Sequence, residues 1–190
     1  MRFLETMGLK VCRFAARRAA RMEIRKPRAA ERWLSLACRV APRFDFVHRD
    51  LCAHYRRTGE RLKAMAVASD AAQRFGDSPD ALMLLGEYCV YAYRTHDALV
   101  AYENVLVIEE RADAAMAAGE LYSREGDHAT AGARYARAFA AGAGPDALRY
   151  NAMELVSAGD TRAAAEARTL WEKETGKRWA DTWVPSRRSH

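Results

Sequence analysis

Between Pro79 and Glu110 the apolar positions fall on two helical stripes, Leu82, Leu85, Gly86 and Cys89 on the first and Ala98, Tyr102 and Val105 on the second. Intervals of three and four residues put each set on one face of a helix. The stretch therefore predicts two short amphipathic helices joined by a tight turn. The small members are as informative as the large ones. Gly86 and Ala98 stand where two helices must approach closely to interlock, and a leucine at either position would push them apart.

The same pattern recurs on both sides. Residues 45–78 carry Leu51, Cys52 and Tyr55 on a first stripe, Gly59 at the turn, and Ala64, Ala68 and Ala71 on a second. A copy from Ala112 to Gly144 has Gly119 and Tyr122, the turn Gly126-Asp127, then Ala131, Tyr135 and Ala138. The last, from Pro145, has Ala152 and Leu155, the turn Gly159-Asp160, then Ala164, Arg168 and Trp171. In the copy that begins at Pro79, Tyr93 to His96 replaces the glycine turn. Start points at 45, 79, 112 and 145 give a period of 33 to 34 residues, which is the signature of a helical repeat array.

These residues resemble the tetratricopeptide repeat family, whose 34-residue unit has small residues at positions 8, 20 and 27, aromatics at 11 and 24, and a glycine near 15. Position 8 is Cys52, Gly86, Gly119 and Ala152 here, and position 20 is Ala64, Ala98, Ala131 and Ala164. Position 24 is aromatic only at Tyr102 and Tyr135; Ala68 and Arg168 depart from the pattern. Arg168 suggests a last repeat that is loosened or turned to solvent. The resemblance covers residues 45–178, and 11–44 more weakly. It implies an all-α chain, a right-handed α-solenoid of helix-turn-helix repeats with a concave groove lined by the first helix of each pair. Mapped from the family's groove positions, the lining includes Phe46, Arg49, Arg56 and Arg57, then Met83, Glu87, Val90 and Tyr91, then Met116, Glu120, Ser123 and Arg124, and finally Arg149 and Met153. This mixture of basic, acidic and apolar groups suits a partner protein's helix or extended peptide. It does not suit the family's carboxylate clamp, because position 9 is Ala53, Glu87, Glu120 and Met153, and the acids would repel an acidic tail.

Outside the repeats the chain changes character. From Arg2 to about Ile24 it reads as one helix, with Phe3, Leu4, Met7, Val11 and Phe14 on an apolar stripe and Lys10, Arg13, Arg17, Arg18 and Arg21 opposite. Pro27 punctuates it, and a second helix runs to Pro42, with Ala30, Leu34 and Ala37 matching the second half of a repeat. Residues 1–44 thus read as a basic amphipathic arm and degenerate first repeat, 45–178 as four repeats, and 179–190 as a C-terminal cap and basic tail. Trp171, Trp179 and Trp183 are the candidates for that cap, since a solenoid end must cover its last apolar face; an aromatic docking patch is the other reading. Residues 1–44 hold 12 Lys and Arg against 3 acids, a balance of +9, whereas residues 45–190 hold 19 against 22, a balance of −3. The basic character belongs to the N-terminus.

Three readings of the N-terminal helix stay open: it lies on an anionic membrane surface, it docks into a larger assembly, or it caps the array. Nucleic acid is the competing partner class, through an Arg cluster neutralising phosphates. The repeats' net negative charge and sparse aromatics argue against it.

Half the chain is hydrophobic, much of that alanine, and only five residues are proline, which favours helix and predicts no sheet. No apolar run is long enough to span a membrane, and Glu5, Lys10 and Arg13 interrupt the start where a secretory signal would need an unbroken apolar core. Cys12, Cys38, Cys52 and Cys89 have neither metal-ligand nor CxxC spacing, and read as reduced, small core residues in a cytoplasmic compartment, with a peripheral place on the inner face of a membrane as the variant. None of the five histidines pairs with another ligand at helical spacing, and no phosphate-binding or nucleophile-elbow motif occurs. The expectation is a non-catalytic scaffold or assembly subunit with no metal and no cofactor.

Overall fold

A computed structural model describes residues 2–22, 25–40 and 45–181. Among the described residues there are ten α-helices and no strand: α1 (Arg2–Met22), α2 (Pro27–Val40), α3 (Asp45–Thr58), α4 (Arg61–Phe75), α5 (Pro79–Tyr91), α6 (Thr95–Ile108), α7 (Ala112–Glu125), α8 (His128–Ala140), α9 (Asp146–Ser157) and α10 (Thr161–Thr175). A short 3₁₀ turn, Trp179–Asp181, follows. Pro27 is the first residue of α2, where its missing N–H is not needed. Pro42 and Trp183 lie outside the described residues.

From α3 onward, the turn inside each pair is set by one residue in the left-handed region. Gly59, Gly126 and Gly159 have φ of 79°, 83° and 83°. In each case the following N–H reaches back five residues, Glu60 to the Tyr55 carbonyl, Asp127 to Tyr122 and Asp160 to Leu155, at 2.9–3.0 Å. This is the Schellman closure that satisfies carbonyls left over at a helix end. Tyr93 takes the same place between α5 and α6 with φ 62°, and Arg94 closes on Cys89 at 2.8 Å. A tyrosine thus holds a conformation that costs a side-chain-bearing residue about 1–2 kcal/mol. The second helices then start differently. Asp127 and Asp160 cap α8 and α10 by accepting from the N–H groups of Thr130 and Ala163, whereas Glu60 makes no side-chain cap on α4.

The chain divides into two compact units, residues 1–104 and 105–190. Within the first, α1 packs on α2, α2 on α3, α3 on α4 and α4 on α5. Its core joins Leu34, Leu51, Cys52, Tyr55, Ala64 and Ala68 to Leu84 and Tyr88. Helix α5 is therefore buried along a second line that the stripe of Leu82, Leu85, Gly86 and Cys89 does not contain, because it is covered by the preceding helix pair as well as by its own partner. Within the second unit α7 to α10 pack in chain order.

Close approach is set by pairs of residues at positions 8 and 24. A methyl group built on Gly86 would lie 2.5 Å from Tyr102 Cε1, and one on Gly119 would lie 3.0 Å from Tyr135 Cε1. Each ring occupies the space that a side chain on the facing helix would need. Where position 24 is Ala68, position 8 is Cys52, whose Sγ reaches the Ala64 carbonyl at 3.4 Å. Arg168 at the last position 24 is half-buried, not turned to solvent: its guanidinium lies 5.4 Å from the Trp179 ring centre, and Trp179 meets Trp171 edge-on at 5.4 Å. The aliphatic stem and planar head of arginine do the covering that an aromatic does elsewhere.

All four cysteines are free thiols. Burial pushes the Cys38 thiol up to about 12 and raises those of Cys12, Cys52 and Cys89, so all four stay neutral small core groups.

Candidate functional site

The groove residues of the first unit sit on the outward faces of α3 and α5. Arg49, Arg56, Arg57 and Glu87 are exposed, and Met83 and Tyr91 half-buried. The structure joins three of them. Arg56 Nη1 donates to Glu87 Oε1 at 2.9 Å, and Tyr91 Oη donates to the Arg56 carbonyl at 3.1 Å. Arg61 adds its guanidinium 5.4 Å from the Tyr91 ring and 4.6 Å from the Tyr93 ring. Neighbouring first helices are thus tied together across the face by groups with opposite charge at half-exposed sites, where a single pair contributes on the order of 0–1 kcal/mol. Arg61 and Tyr93 were not among the sequence candidates, because the groove positions mapped from the family all lie on first helices.

In the second unit Glu120 pairs with Arg124 one turn along α7. Arg149 stands 3.9 Å from Asp146 and 5.5 Å from the Tyr150 ring. The more connected group is one the sequence did not single out. Glu154 accepts from Ser123 Oγ at 2.7 Å and meets His128 Nδ1 at 2.7 Å, linking α7, α8 and α9.

Helix α1 turns a different face inward from the stripe seen in sequence. Cys12, Ala15 and Ala19 are at most 2% exposed, whereas Val11 and Phe14 are 40% and 56% exposed. The side chains of Phe3, Leu4 and Met7 lie outside the described part of the structure. Small residues win the inward face because the helix lies close on α2, with Cys12 Sγ 3.8 Å from the Ala37 carbonyl. Phe14 leans edge-on to Trp33 at 6.0 Å, and Arg18 covers both rings. Lys10, Arg13, Arg17 and Arg21 are exposed.

Two adjoining hollows separate α1 from α3. One, of about 410 Å³, is walled by Ala16, Arg17, Ala19, Ala20, Leu34, Asp50, Ala53 and Arg57. The other, of about 360 Å³, is walled by Arg13, Ala16, Arg17, Phe46 and Asp50. Arginines of the arm and an arginine of the groove, separate features in the sequence, therefore share one cleft. A third cleft of about 350 Å³ lies among α4, α5 and α6, with Leu82, Leu85, Cys89 and Val100 in its walls.

Buried phenols also frame these faces. Tyr55 Oη donates to Glu31 Oε1 at 2.9 Å, and burial together with that carboxylate raises its pKa to about 12. Burial does the same for Tyr88 and Tyr135, both at about 12. All three keep their protons. Among the described residues no three of His, Cys, Asp and Glu come together as a metal ion would require, and no helix is long and apolar enough to cross a membrane.

Helix pairs of this period, closed by the same turn and seated on small residues at the same positions, have the tetratricopeptide repeat fold. The solved structures agree. The crystal structure of MamA protein superposes with a TM-score of 0.71 at 15% identity, over 92% of this chain and 97% of that one. A tetratricopeptide repeat protein from Parabacteroides merdae gives 0.67 at 16% identity, over 90% and 69%. YrrB, a TPR protein with an unusual peptide-binding site, gives 0.63 at 13% identity, over 86% of each chain. Neither a protein-family profile nor a curated protein sequence matches the chain.

Proposed function

We propose that this protein is a non-catalytic interaction scaffold that holds a segment of a partner protein on the outward faces of its first helices and attaches to a larger assembly through its basic N-terminal helix. The observation that carries the reading is the cluster Arg56, Glu87 and Tyr91, whose charged and phenolic groups are joined to one another at the surface while the Tyr91 ring rests on the core. Such groups cost little to re-pair with a peptide's own charges and main chain, and their positions are fixed beforehand, which reduces the ordering cost of binding. The solved neighbour YrrB, with its peptide-binding site, supports the class of partner.

Selection of a random-peptide display library on the full-length protein tests this. Peptides should be enriched, and their binding should fall about tenfold or more when Glu87→Ala and Tyr91→Ala are combined. Enrichment of no peptide, or binding indifferent to those substitutions, removes the reading. Flotation with anionic liposomes decides the attachment. Equal flotation of the full chain and of one lacking residues 1–26 would leave protein, not lipid, as what the N-terminal helix meets.

A further inference from the structure

We infer that the outer face of the first helix pair, α1 with α2, docks on the anionic surface of a lipid bilayer, its apolar strip entering the headgroup boundary and the arginines on either side pairing with lipid phosphates. The inference rests on the N-terminal attachment proposed above and puts that assembly on a membrane.

Two helix flanks make the strip. Helices α1 and α2 run antiparallel, in the register fixed by Cys12 Sγ at the Ala37 carbonyl and by Phe14 edge-on to Trp33. That register sets Val11 level with Leu36. Helical periodicity gives Val11 and Phe14 one flank of α1, and Trp33, Leu36 and Val40 one flank of α2, and the contact of Phe14 with Trp33 joins the two. Val11, Phe14, Leu36 and Val40 are all exposed, Phe14 and Val40 by more than half. Helix α3 covers the opposite side of the pair, where Cys38 donates to the Val47 carbonyl and Glu31 accepts from Tyr55. The strip is thus the end face on which a preceding helix pair would stack, and the end of such an array is ordinarily polar.

Charge names the occupant. Lys10 and Arg21 border the strip on α1, Arg32 and Arg39 on α2, all exposed, and Arg18 lies over the Phe14 and Trp33 rings at 6.0 and 5.4 Å. Among the described residues none of these cations meets an acid at ion-pair distance. Arginines beyond the first pair are held differently: Arg56 pairs with Glu87, Arg74 with Asp70, Arg94 with Asp97 and Arg124 with Glu120. Glu31, the acid of α2, is engaged by Tyr55 and Lys63 on the far side. An apolar strip between two rows of unpaired cations is the complement of an interface whose phosphates lie over hydrocarbon. Lipid headgroups are mobile, so both rows pair at once without a fixed register. A second copy of this face would bring the same cations and be repelled, since residues 1–44 carry a balance of +9. A helix pair stacked as in the array would bury those cations without counter-charge.

The test is flotation of full-length protein with vesicles of phosphatidylcholine alone or of phosphatidylcholine and phosphatidylglycerol in equal parts. Partitioning to the anionic vesicles is expected to exceed that to the neutral ones at least about tenfold and to weaken with salt. Leu36→Gln with Val40→Gln, which leaves the charge unchanged, should weaken it at least about tenfold while the circular dichroism spectrum stays that of the parent. Arg32→Gln with Arg39→Gln should weaken it comparably. Arg162→Gln with Lys173→Gln, which removes exposed cations from α10, should weaken it far less. Four results overturn the proposal: no partitioning to anionic vesicles at low salt; equal partitioning to neutral ones; loss on removing the arginines but none on changing Leu36 and Val40; or polyglutamate or single-stranded DNA bound more tightly than vesicles with the same two losses, which would give the face to an acidic protein or a nucleic acid. Failure here while display-selected peptides still respond to Glu87 and Tyr91 would leave the scaffold standing and remove its membrane. Vesicle binding by a chain that selects no peptide would keep the membrane contact and remove the groove.

Discussion

Replacing Gly86 with alanine adds one methyl group, and the fold says where it must go. The new carbon would lie 2.5, 2.7 and 2.8 Å from three ring carbons of Tyr102, whereas carbons in contact sit about 3.5–4.0 Å apart. The ring must move by about 1 Å, yet it is only 5% exposed and closely surrounded. Overpacking of this size costs about 1–3 kcal/mol, and removing a mid-helix glycine returns about 0.5–1 kcal/mol, so Gly86→Ala should destabilise by about 1–2 kcal/mol. Two other helical glycines supply a scale. At Gly119 the nearest ring carbon is 3.0 Å away, and Gly119→Ala should be close to neutral. At Gly132 the nearest atom is Leu155 Cγ at 3.4 Å, an ordinary contact, so Gly132→Ala should stabilise by about 0.5–1 kcal/mol. Urea titration followed by circular dichroism reads the three, since 1 kcal/mol moves the midpoint by roughly 0.3–1 M. Tyr102→Ala should also lose at least about 1 kcal/mol less in the Gly86→Ala background than alone, because the clash has gone with the ring. A Gly86→Ala protein as stable as Gly132→Ala, or a cycle with no coupling, would refute the claim that the ring and the glycine are fitted to each other.

Three further outcomes are expected. Asp113, Asp70, Asp127 and Glu110 have pKa values below the usual carboxylate range, held there by Arg111, Arg74, Thr130 and Arg137 respectively. Lowered values stabilise above the unfolded pKa and lose that stabilisation on acidification, so the urea midpoint should fall as pH drops below about 4, and Asp113→Asn should flatten the fall. Arg137 donates from Nη2 to the Leu106 carbonyl at 2.5 Å and grips Glu110 through Nε and Nη2, so Arg137→Leu should speed amide exchange of residues 108–110 about tenfold, the worth of about one hydrogen bond; unchanged exchange would mean the fork does not hold the end of α6. Tyr93→Gly, made where Arg61→Ala has already removed the stack over its ring, should raise the melting midpoint by about 2–4 °C by relieving the left-handed backbone, and no rise would show that the tyrosine is unstrained there.

Much of the fold could be read in the chain because repetition multiplies a weak signal. One Gly-x-x-Cys stripe means little, but Cys52, Gly86, Gly119 and Ala152 at a common interval fix the place of the four helix pairs from α3 to α10. What escaped was information carried between positions. That Gly86 and Gly119 accompany tyrosines while Cys52 accompanies Ala68 is visible only once positions 8 and 24 are known to touch. Arg168 looked like a misfit for the same reason: its partner, Trp179, lies in the following turn and outside the repeat unit. Periodicity also misled at α1, where size decided the matter. Val11 and Phe14 are the more hydrophobic face, yet Cys12, Ala15 and Ala19 are the ones that let α1 lie against α2. The cleft beside them was hidden because Arg17 and Arg57 are 40 positions apart and belong to segments that read as unlike.

The fitted rings have a consequence for how such a chain could be rebuilt. A second helix carrying Tyr102 matches a first helix with a bare backbone at the contact; placed behind α3 it would press its ring onto the sulfur of Cys52. The modules are alike in outline but not exchangeable, so shuffling them should yield poorly fitting hybrids unless both halves of a pair travel together. The order of repeats is in this sense written into their inner surfaces, one lock to each key.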